Sequence, residues 1–287
     1  MSHRGPIQSI LRQWNSESSP LALKTKRAIA SVVPERVLLA LKKRYYVGLL
    51  RKDSDELMET DARALPLLVR PGDFVIDVGA FVGFYTQRLS RLVGPTGVVW
   101  SFEPMPQTFE ILGEAVRRLD LRNVRLFPYA VSDRVEAATM EIPRYDGGGE
   151  SWWDARIIQG TPGPVRHGGA PDSLRHVDIA TKTLDSVLED TDRPLTFIKI
   201  DAEFHELHCV RGAVAALGRW HPAVQVETLE TNDREGSEFR VMLEVFSGLD
   251  YAPYAFDGSR FHPRHPGDTN QNLFFLSEPH RRLTAGA

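Results

Sequence analysis

Pro71-Gly72-Asp73-Phe74-Val75-Ile76-Asp77-Val78-Gly79-Ala80-Phe81-Val82-Gly83-Phe84-Tyr85-Thr86 is the stretch that decides the fold. Pro71-Gly72-Asp73 is a turn signal. Phe74 to Val78 is a short apolar run of the kind that forms a strand buried on both faces. The run stops at Gly79, and helical spacing has begun by Gly83. A strand that passes through a glycine turn into a helix brings backbone close to a ligand, because glycine tolerates positive φ and carries no Cβ. The helix N-terminus adds unpaired N–H groups. Together these make the first half of a nucleotide-type site.

The details select the nucleotide. A dinucleotide fingerprint, Gly-x-Gly-x-x-Gly, lets the chain press on a pyrophosphate. Phe81 stands where the middle glycine belongs and leaves little room for one. Asp77 precedes the loop, where it repels phosphate and favours a cationic ligand. The spacing Asp77-x-Gly79-x-x-x-Gly83 resembles the first motif of class I S-adenosylmethionine methyltransferases. That resemblance implies a donor lined by Asp77, Gly79, Ala80, Phe81 and Gly83. Glu103, in Trp100-Ser101-Phe102-Glu103-Pro104, ends the next apolar run, where a carboxylate can accept from both ribose hydroxyls. Ser132 and Asp133, after a third strand, are expected near the adenine amino group. The plainer readings are a solvated strand end for Glu103 and a turn residue for Asp133.

A length of 287 residues can bury a sizeable core and allows one or two domains. With 35 basic against 38 acidic residues the net charge is −3, which argues against a nucleic-acid partner held by bulk charge. The single cysteine, Cys209, permits no intrachain disulfide and points to a reducing, cytoplasmic setting. No apolar run reaches transmembrane length, and nothing at the N-terminus reads as a secretory signal.

Residues 1–65 read as an N-terminal helical extension and 66–287 as the main domain. Within the extension, Val37-Leu38-Leu39-Ala40-Leu41 with Tyr45, Tyr46, Leu49 and Leu50 forms an apolar stripe interleaved with Lys42, Lys43, Arg44, Arg51 and Lys52. Such a helix either covers the domain with its lysines in water, the preferred reading, or makes peripheral contact with a membrane surface. From Phe74 onward strands and helices alternate, which predicts a mostly parallel, seven-stranded Rossmann-like α/β sheet with helices on both faces. The strands are expected at 74–79, 97–103, 124–130, 195–201, 222–228, 251–256 and 272–277. The helices are expected at 82–93, 106–119, 204–219 and 236–247. Short strands at 137–142 and 176–181 bracket an inserted loop, 146–172, rich in glycine and proline. Its Trp152 and Trp153 can stack on the C–H face of a sugar ring or pin the loop to the core.

Thr183-Leu184-Asp185 followed by Phe197-Ile198-Lys199-Ile200-Asp201-Ala202-Glu203-Phe204-His205-Glu206 is similar to the FkbM family of S-adenosylmethionine-dependent methyltransferases. Ala130-Val131-Ser132-Asp133, Arg211-Gly212-Ala213 and Asn272-Leu273-Phe274-Phe275-Leu276 extend the resemblance over roughly 55–277. Phe204 departs from it, standing where the family usually has glycine. The resemblance implies O-methylation, often of sugars or polyketide-derived hydroxyls.

An aliphatic hydroxyl needs a base or a bound cation before it attacks a methyl group. Asp201 and Glu227 end neighbouring core strands, and could hold one Mg²⁺ through oxygen ligands. His205 is the metal-free candidate base, with Asp201 and Glu203 as competitors. The chain therefore reads as an O-methyltransferase acting on a small-molecule or oligosaccharide acceptor, on a hydroxyl of a sugar, oligosaccharide or glycosylated metabolite. The alternatives are a polyketide or lipid-linked hydroxyl, or a non-catalytic S-adenosylmethionine-binding module. A homo-oligomer is left open.

Overall fold

A computed structural model of the chain describes residues 34–52, 60–145, 149–152, 154–158, 172–228, 233–268 and 270–284. In chain order the first elements are α1 (Glu35–Lys52), a 3-10 turn (Thr60–Ala64), α2 (Leu65–Leu68), β1 (Phe74–Val78), α3 (Phe84–Val93), β2 (Val98–Phe102), α4 (Pro106–Arg118) and β3 (Val124–Phe127). Next come β4 (Ala130–Val131), β5 (Glu136–Tyr145), β6 (Gly149–Glu150), β7 (Arg156–Ile157), β8 (Ser173–Lys182) and α5 (Leu184–Leu188). The remainder is β9 (Leu195–Ile200), α6 (Glu206–Arg211), α7 (Val214–Trp220), β10 (Ala223–Glu227), α8 (Glu238–Ser247), β11 (Ala252–Phe256), β12 (Phe261–Pro263), β13 (Asn272–Leu276) and α9 (Glu278–Thr284).

The main sheet has the order β12-β11-β13-β10-β9-β1-β2-β3. Its five strands from β10 to β3 are parallel, and β13, β11 and β12 add an antiparallel edge. The chain runs outward from β1 to β3, then returns to lay β9 on the other side of β1. The order thus reverses between β1 and β9, and in open α/β sheets the ligand crevice lies at the carboxyl ends of strands at that point.

Side chains alternate across the central strands. Phe74, Ile76 and Val78 pack with Ile198, Ile200, Val224 and Val226 on one face, under α6, α7 and α8. Val75, Val99, Phe197 and Phe274 face the other way, with Leu89 and Val93 of α3. Burying one such side chain contributes ~1.5–3 kcal/mol, so these strands hold whatever sits at their carboxyl ends in fixed register.

Among the described residues the main sheet has eight strands where seven were expected. Residues 261–263, which fall in none of the expected strands, form an edge strand with Phe261 buried against Phe256 and Phe274 at ring separations of 5.0 and 5.1 Å. Pro263 is tolerated there since an edge strand has spare N–H positions. The single helix expected over 204–219 is two, interrupted at Gly212-Ala213. The chain packs tightly at the interruption, where a Cβ on Gly212 would lie 1.9 Å from the Ser132 carbonyl oxygen. Asp185 then caps the second piece, its carboxylate accepting from the N–H groups of Ala215 at 3.0 Å and Ala216 at 2.8 Å.

The 137–142 and 176–181 strands are longer than expected and pair antiparallel in a second sheet, ordered β4-β8-β5-β6 with β7 also on β5. Its inner face, Ala138, Met140, Ile142, Val177 and Ile179, packs on Met105, Ala130 and Ala155. Of the expected loop, 146–148, Trp153 and 159–171 lie outside the described residues, as do 1–33 and 53–59 of the N-terminal extension. Helix α1 lies on α3 and α4 through Tyr46, Val47 and Leu50, which cluster with Phe84, Ile111 and Ala115. Among the described residues no helix is long and apolar enough to cross a membrane.

Candidate active site

The turn after β1 is built around close approach. Gly79 has φ +76°, and a Cβ there would fall 1.7 Å from the carbonyl oxygen of Asp201. The N–H groups of Gly79 and Ala80 both donate to the Phe102 carbonyl at 3.0 Å, which ties the turn to the end of β2. Phe81 is left-handed at φ 51°, and its N–H donates to Glu103 Oε2 at 2.8 Å. Gly83, at φ +105°, opens α3 against Leu112.

Glu103 is buried. Its Oε1 accepts from the Met105 N–H at 2.9 Å and the Thr108 hydroxyl at 2.7 Å. Burial pushes the carboxyl up to about 7, in spite of these hydrogen bonds. Asp77 is buried completely; its Oδ2 accepts from the Thr86 hydroxyl at 2.6 Å, and Oδ1 has no hydrogen-bond partner among the described residues. Burial raises its pKa, and the nearby Lys199 ammonium works against that rise.

Ser132 and Asp133 follow β4. The buried Ser132 hydroxyl lies 2.9 Å from His205 Nε2. Asp133 Oδ2 lies 3.0 Å from His208 Nδ1, and Arg134 donates to Oδ1 at 3.1 Å. Burial opposes ionisation of Asp133, yet Arg134 and His208 outweigh it and hold the carboxyl at about 2. His205 is buried, its ring stacked 4.5 Å from that of His208, and burial, with His208 beside it, lowers its pKa to about 4. The structure thus joins His205 to Ser132.

Asp201, Glu203 and Glu227 each offer a carboxylate oxygen, all within 4.8 Å of one another. The first two come from the end of β9 and the third from the end of β10. Asp201 is fixed twice, its N–H donating to the Val78 carbonyl at 3.1 Å and its Oδ2 accepting from Lys199 Nζ at 2.8 Å. Glu203 and Phe204 are consecutive left-handed residues, at φ 48° and 69°. The Glu206 carboxylate closes that turn by accepting from the Ala202 N–H at 3.1 Å. Phe204 therefore keeps the backbone conformation that glycine would adopt without strain.

Trp152 is half-buried and donates to Glu150 Oε2 at 3.2 Å, while the Lys42 ammonium stands 3.4 Å over its ring. Arg175 grips Glu150 at 2.6 and 3.0 Å. Trp153 lies outside the described residues.

Ser101, Lys199 and Gln225 were not singled out as site residues by sequence, although their neighbour Asp77 was. Ser101, Asp77, Lys199 and Gln225 occupy one register row across β2, β1, β9 and β10. All four are buried, with Tyr85 and Thr86 of α3 on the same face. Lys199 Nζ sits 4.4 Å from the Tyr85 ring centre, and Gln225 donates to the Tyr85 hydroxyl at 3.2 Å. The available signal was a polar residue inside an otherwise apolar strand, a rare event unless it is partnered.

A parallel sheet reversing at β1, a glycine turn packed on the next strand across, and an acid at the end of β2 define the class I S-adenosylmethionine-dependent methyltransferase fold. Comparison with known proteins sharpens this: the family described as Methyltransferase FkbM domain matches residues 77–253, well over half of the chain, and the chain belongs to that family. A curated relative, protein-L-isoaspartate O-methyltransferase from Methanocella arvoryzae, is 26% identical over 87 residues, covering 26% of this chain and 46% of that protein. The chain therefore spans about half the length of that relative. Among solved structures, methyltransferase FkbM from Methylobacillus flagellatus is similar at 15% identity, over 92% of this chain and 61% of that one, with a TM-score of 0.44. Aeropyrum pernix fibrillarin with bound S-adenosyl-L-methionine is similar at 10% identity, over 76% and 77% of the two chains, with a TM-score of 0.42. Family membership rests on the matched domain and not on these distant likenesses.

Proposed function

We propose that this chain is an S-adenosylmethionine-dependent O-methyltransferase acting on a hydroxyl of a sugar, oligosaccharide or glycosylated metabolite, with a divalent cation, Mg²⁺, at the acidic cluster. In this reading 66–287 is the catalytic domain, 1–65 a helical extension, and 146–172 an acceptor-side segment. The observation that carries it is the packing of Gly79 on the Asp201 carbonyl, which sets the donor turn directly beside the three carboxylates.

The residues fit the donor. Asp77 Oδ1 is buried without a hydrogen-bond partner among the described residues, as a group awaiting a cationic or N–H-bearing ligand would be. Glu103 Oε2 accepts one hydrogen bond here and has capacity for a ribose hydroxyl. Gly79, Ala80, Phe81 and Gly83 would line the methionine end, and Ser132 and Asp133 the adenine. When bound, S-adenosylmethionine supplies an electrophilic methyl carbon.

The residues also fit a cation, since three carboxylate oxygens are the hard ligands that Mg²⁺ prefers. When bound, the ion supplies Lewis acidity toward the acceptor oxygen. Asp201, Glu203 and Glu227 would hold and orient the acceptor. The carboxylate oxygens of Asp201 and Glu203 would stand beside the acceptor, where either could take its hydroxyl proton. His205, buried and neutral, suits holding Ser132 better than taking that proton. Trp152 would flank the acceptor from the hairpin side.

Phe204 holds the left-handed conformation that a glycine would take, so its side chain does not abolish the turn beside Glu203, which favours an active enzyme over a non-catalytic module. The test is release of S-adenosylhomocysteine with a panel of monosaccharides and glycosides, with and without chelator. Release that requires a glycoside and is lost on chelation supports the reading. Donor binding without turnover on any hydroxyl acceptor rejects it.

A further inference from the structure

Phe81 is in a conformation it would not choose. Non-glycine residues avoid the left-handed region, and a strained residue there persists only where its surroundings over-determine it. Phe81 packs on a cluster to which helix α1 contributes Tyr46, Val47 and Leu50. The buried Tyr46 ring meets the Phe81 ring edge-on, with centroids 6.1 Å apart and planes at 84°. That is a favoured aromatic geometry.

The helix is itself anchored independently of this contact. The Gln87 amide donates to the Leu50 carbonyl at 3.0 Å, and Lys43 pairs with Glu110 at 2.7 Å. Lys42, four residues before Tyr46 and so on the same helix face, covers Trp152. A continuous path therefore runs from α1 through the Tyr46 ring and the Phe81 ring to the Phe81 N–H and the Glu103 carboxylate.

We infer that Tyr46 is a positioning residue for the donor site: its ring holds Phe81 in the backbone conformation from which the Phe81 N–H fixes Glu103. The N-terminal helix is then a working part of the donor pocket, and the acceptor-side Trp152 rests on the same helix. This rests on the reading of Glu103 as the donor's ribose acceptor.

Titration calorimetry of the full chain with S-adenosylhomocysteine tests it. Tyr46→Ala is expected to weaken binding about five- to tenfold, the scale of one aromatic pair, while Tyr46→Phe keeps wild-type affinity because the ring edge remains. In a Phe81→Gly background, where glycine adopts φ 51° unaided, Tyr46→Ala is expected to cost no further affinity. Wild-type affinity in Tyr46→Ala overturns the inference, as does an equal loss in both backgrounds or a loss in Tyr46→Phe matching that of Tyr46→Ala. Should Tyr46→Ala not fold, Phe81→Gly against Phe81→Ala decides: tighter binding by the glycine variant is expected, and equal affinities overturn it. A wild-type chain that binds no S-adenosylhomocysteine rejects the donor reading itself, before any variant is made.

Discussion

Replacing Gly79 by alanine perturbs the contact on which the site is built, and Gly72 provides an internal control. Both glycines have positive φ, +76° and +92°. A Cβ on Gly72 would meet nothing nearer than Thr96 Oγ1 at 3.7 Å, an ordinary contact, whereas one on Gly79 would lie 1.7 Å from Asp201 O and 2.9 Å from its carbonyl carbon. Gly72→Ala should therefore cost only the left-handed conformation, about 1–2 kcal/mol. Gly79→Ala carries the same backbone cost and the same loss of unfolded-state entropy, so the difference between the variants isolates the clash. Relieving it means parting the ends of β1 and β9 by more than 1 Å. That strains or breaks the Asp201 N–H bond to Val78 and the Gly79 N–H bond to Phe102. Overpacking at ~1–3 kcal/mol plus two hydrogen bonds at ~1 kcal/mol each gives about 3–5 kcal/mol beyond the control. At roughly 2–4 °C per kcal/mol for a chain of this size class, Gly79→Ala should melt on the order of 10 °C below Gly72→Ala. Calorimetric melts of the two variants beside wild type check this, and S-adenosylhomocysteine binding should vanish in Gly79→Ala alone. If the two variants melt together, the donor turn does not press on Asp201 and the site is drawn wrongly.

Asp77→Ala should abolish S-adenosylhomocysteine binding in calorimetry, and intact affinity would displace the pocket from β1. Asp201→Asn should leave that binding unchanged while lowering turnover by about two orders of magnitude, the scale of acid–base and orienting groups; a normal rate removes Asp201 from the mechanism. At Phe204, φ 69° predicts that Phe204→Gly is more stable than Phe204→Ala by about 1 kcal/mol in urea unfolding, since both lose the ring and only alanine keeps the strain; equal midpoints would argue against a strained turn. Glu103 gives a pH dependence with two signs. Burial raises its folded pKa from 4.5 to about 7, so its stabilising contribution is full below about 4.5 and lost as pH rises through about 7, some 3 kcal/mol in all. Donor affinity runs the other way, because a ribose hydroxyl donates to the ionised form, and should fall as pH drops below about 7. Melts and calorimetry from pH 5 to 8 on wild type and Glu103→Gln check both slopes; parallel behaviour of the two proteins would exclude Glu103 as their source.

The sheet was legible because buried parallel strands are written as continuous apolar runs. Phe74 to Val78, Leu195 to Ile200 and Ala223 to Glu227 appear in the structure within a residue of where periodicity puts them. The break at Gly212 was not legible, because the helical pattern runs on through it, and the close approach of Gly212 to the Ser132 carbonyl is a contact eighty residues away in sequence. Strand β12 was missed for a similar reason. Three residues carry no period, and only the Phe256 and Phe274 rings make Phe261 a core residue. In the acidic cluster, two of the three carboxylates were legible as a pair of strand ends. Glu203 joins them because the chain turns left-handed at Glu203 and Phe204, a conformation that sequence does not announce in a residue other than glycine.

A polar row beneath the crevice links these strands. A carboxylate as deeply buried as Asp77 is costly unless charge and hydrogen bonds compensate it. The register supplies both, with Thr86 and Ser101 on one side and Lys199 directly opposite on β9. Lys199 is two residues before Asp201, and side chains two apart on a strand share a face. One buried ammonium therefore opposes the rise in the Asp77 pKa and grips Asp201, in the three-carboxylate cluster, at 2.8 Å. Gln225, next in the row, holds Tyr85, over whose ring the ammonium sits. Moving any strand by one residue would turn its member of this row to the opposite face of the sheet. The register that builds the core is thus the same register that sets the charges on both sides of the crevice, so Asp77 and Asp201 cannot be repositioned independently.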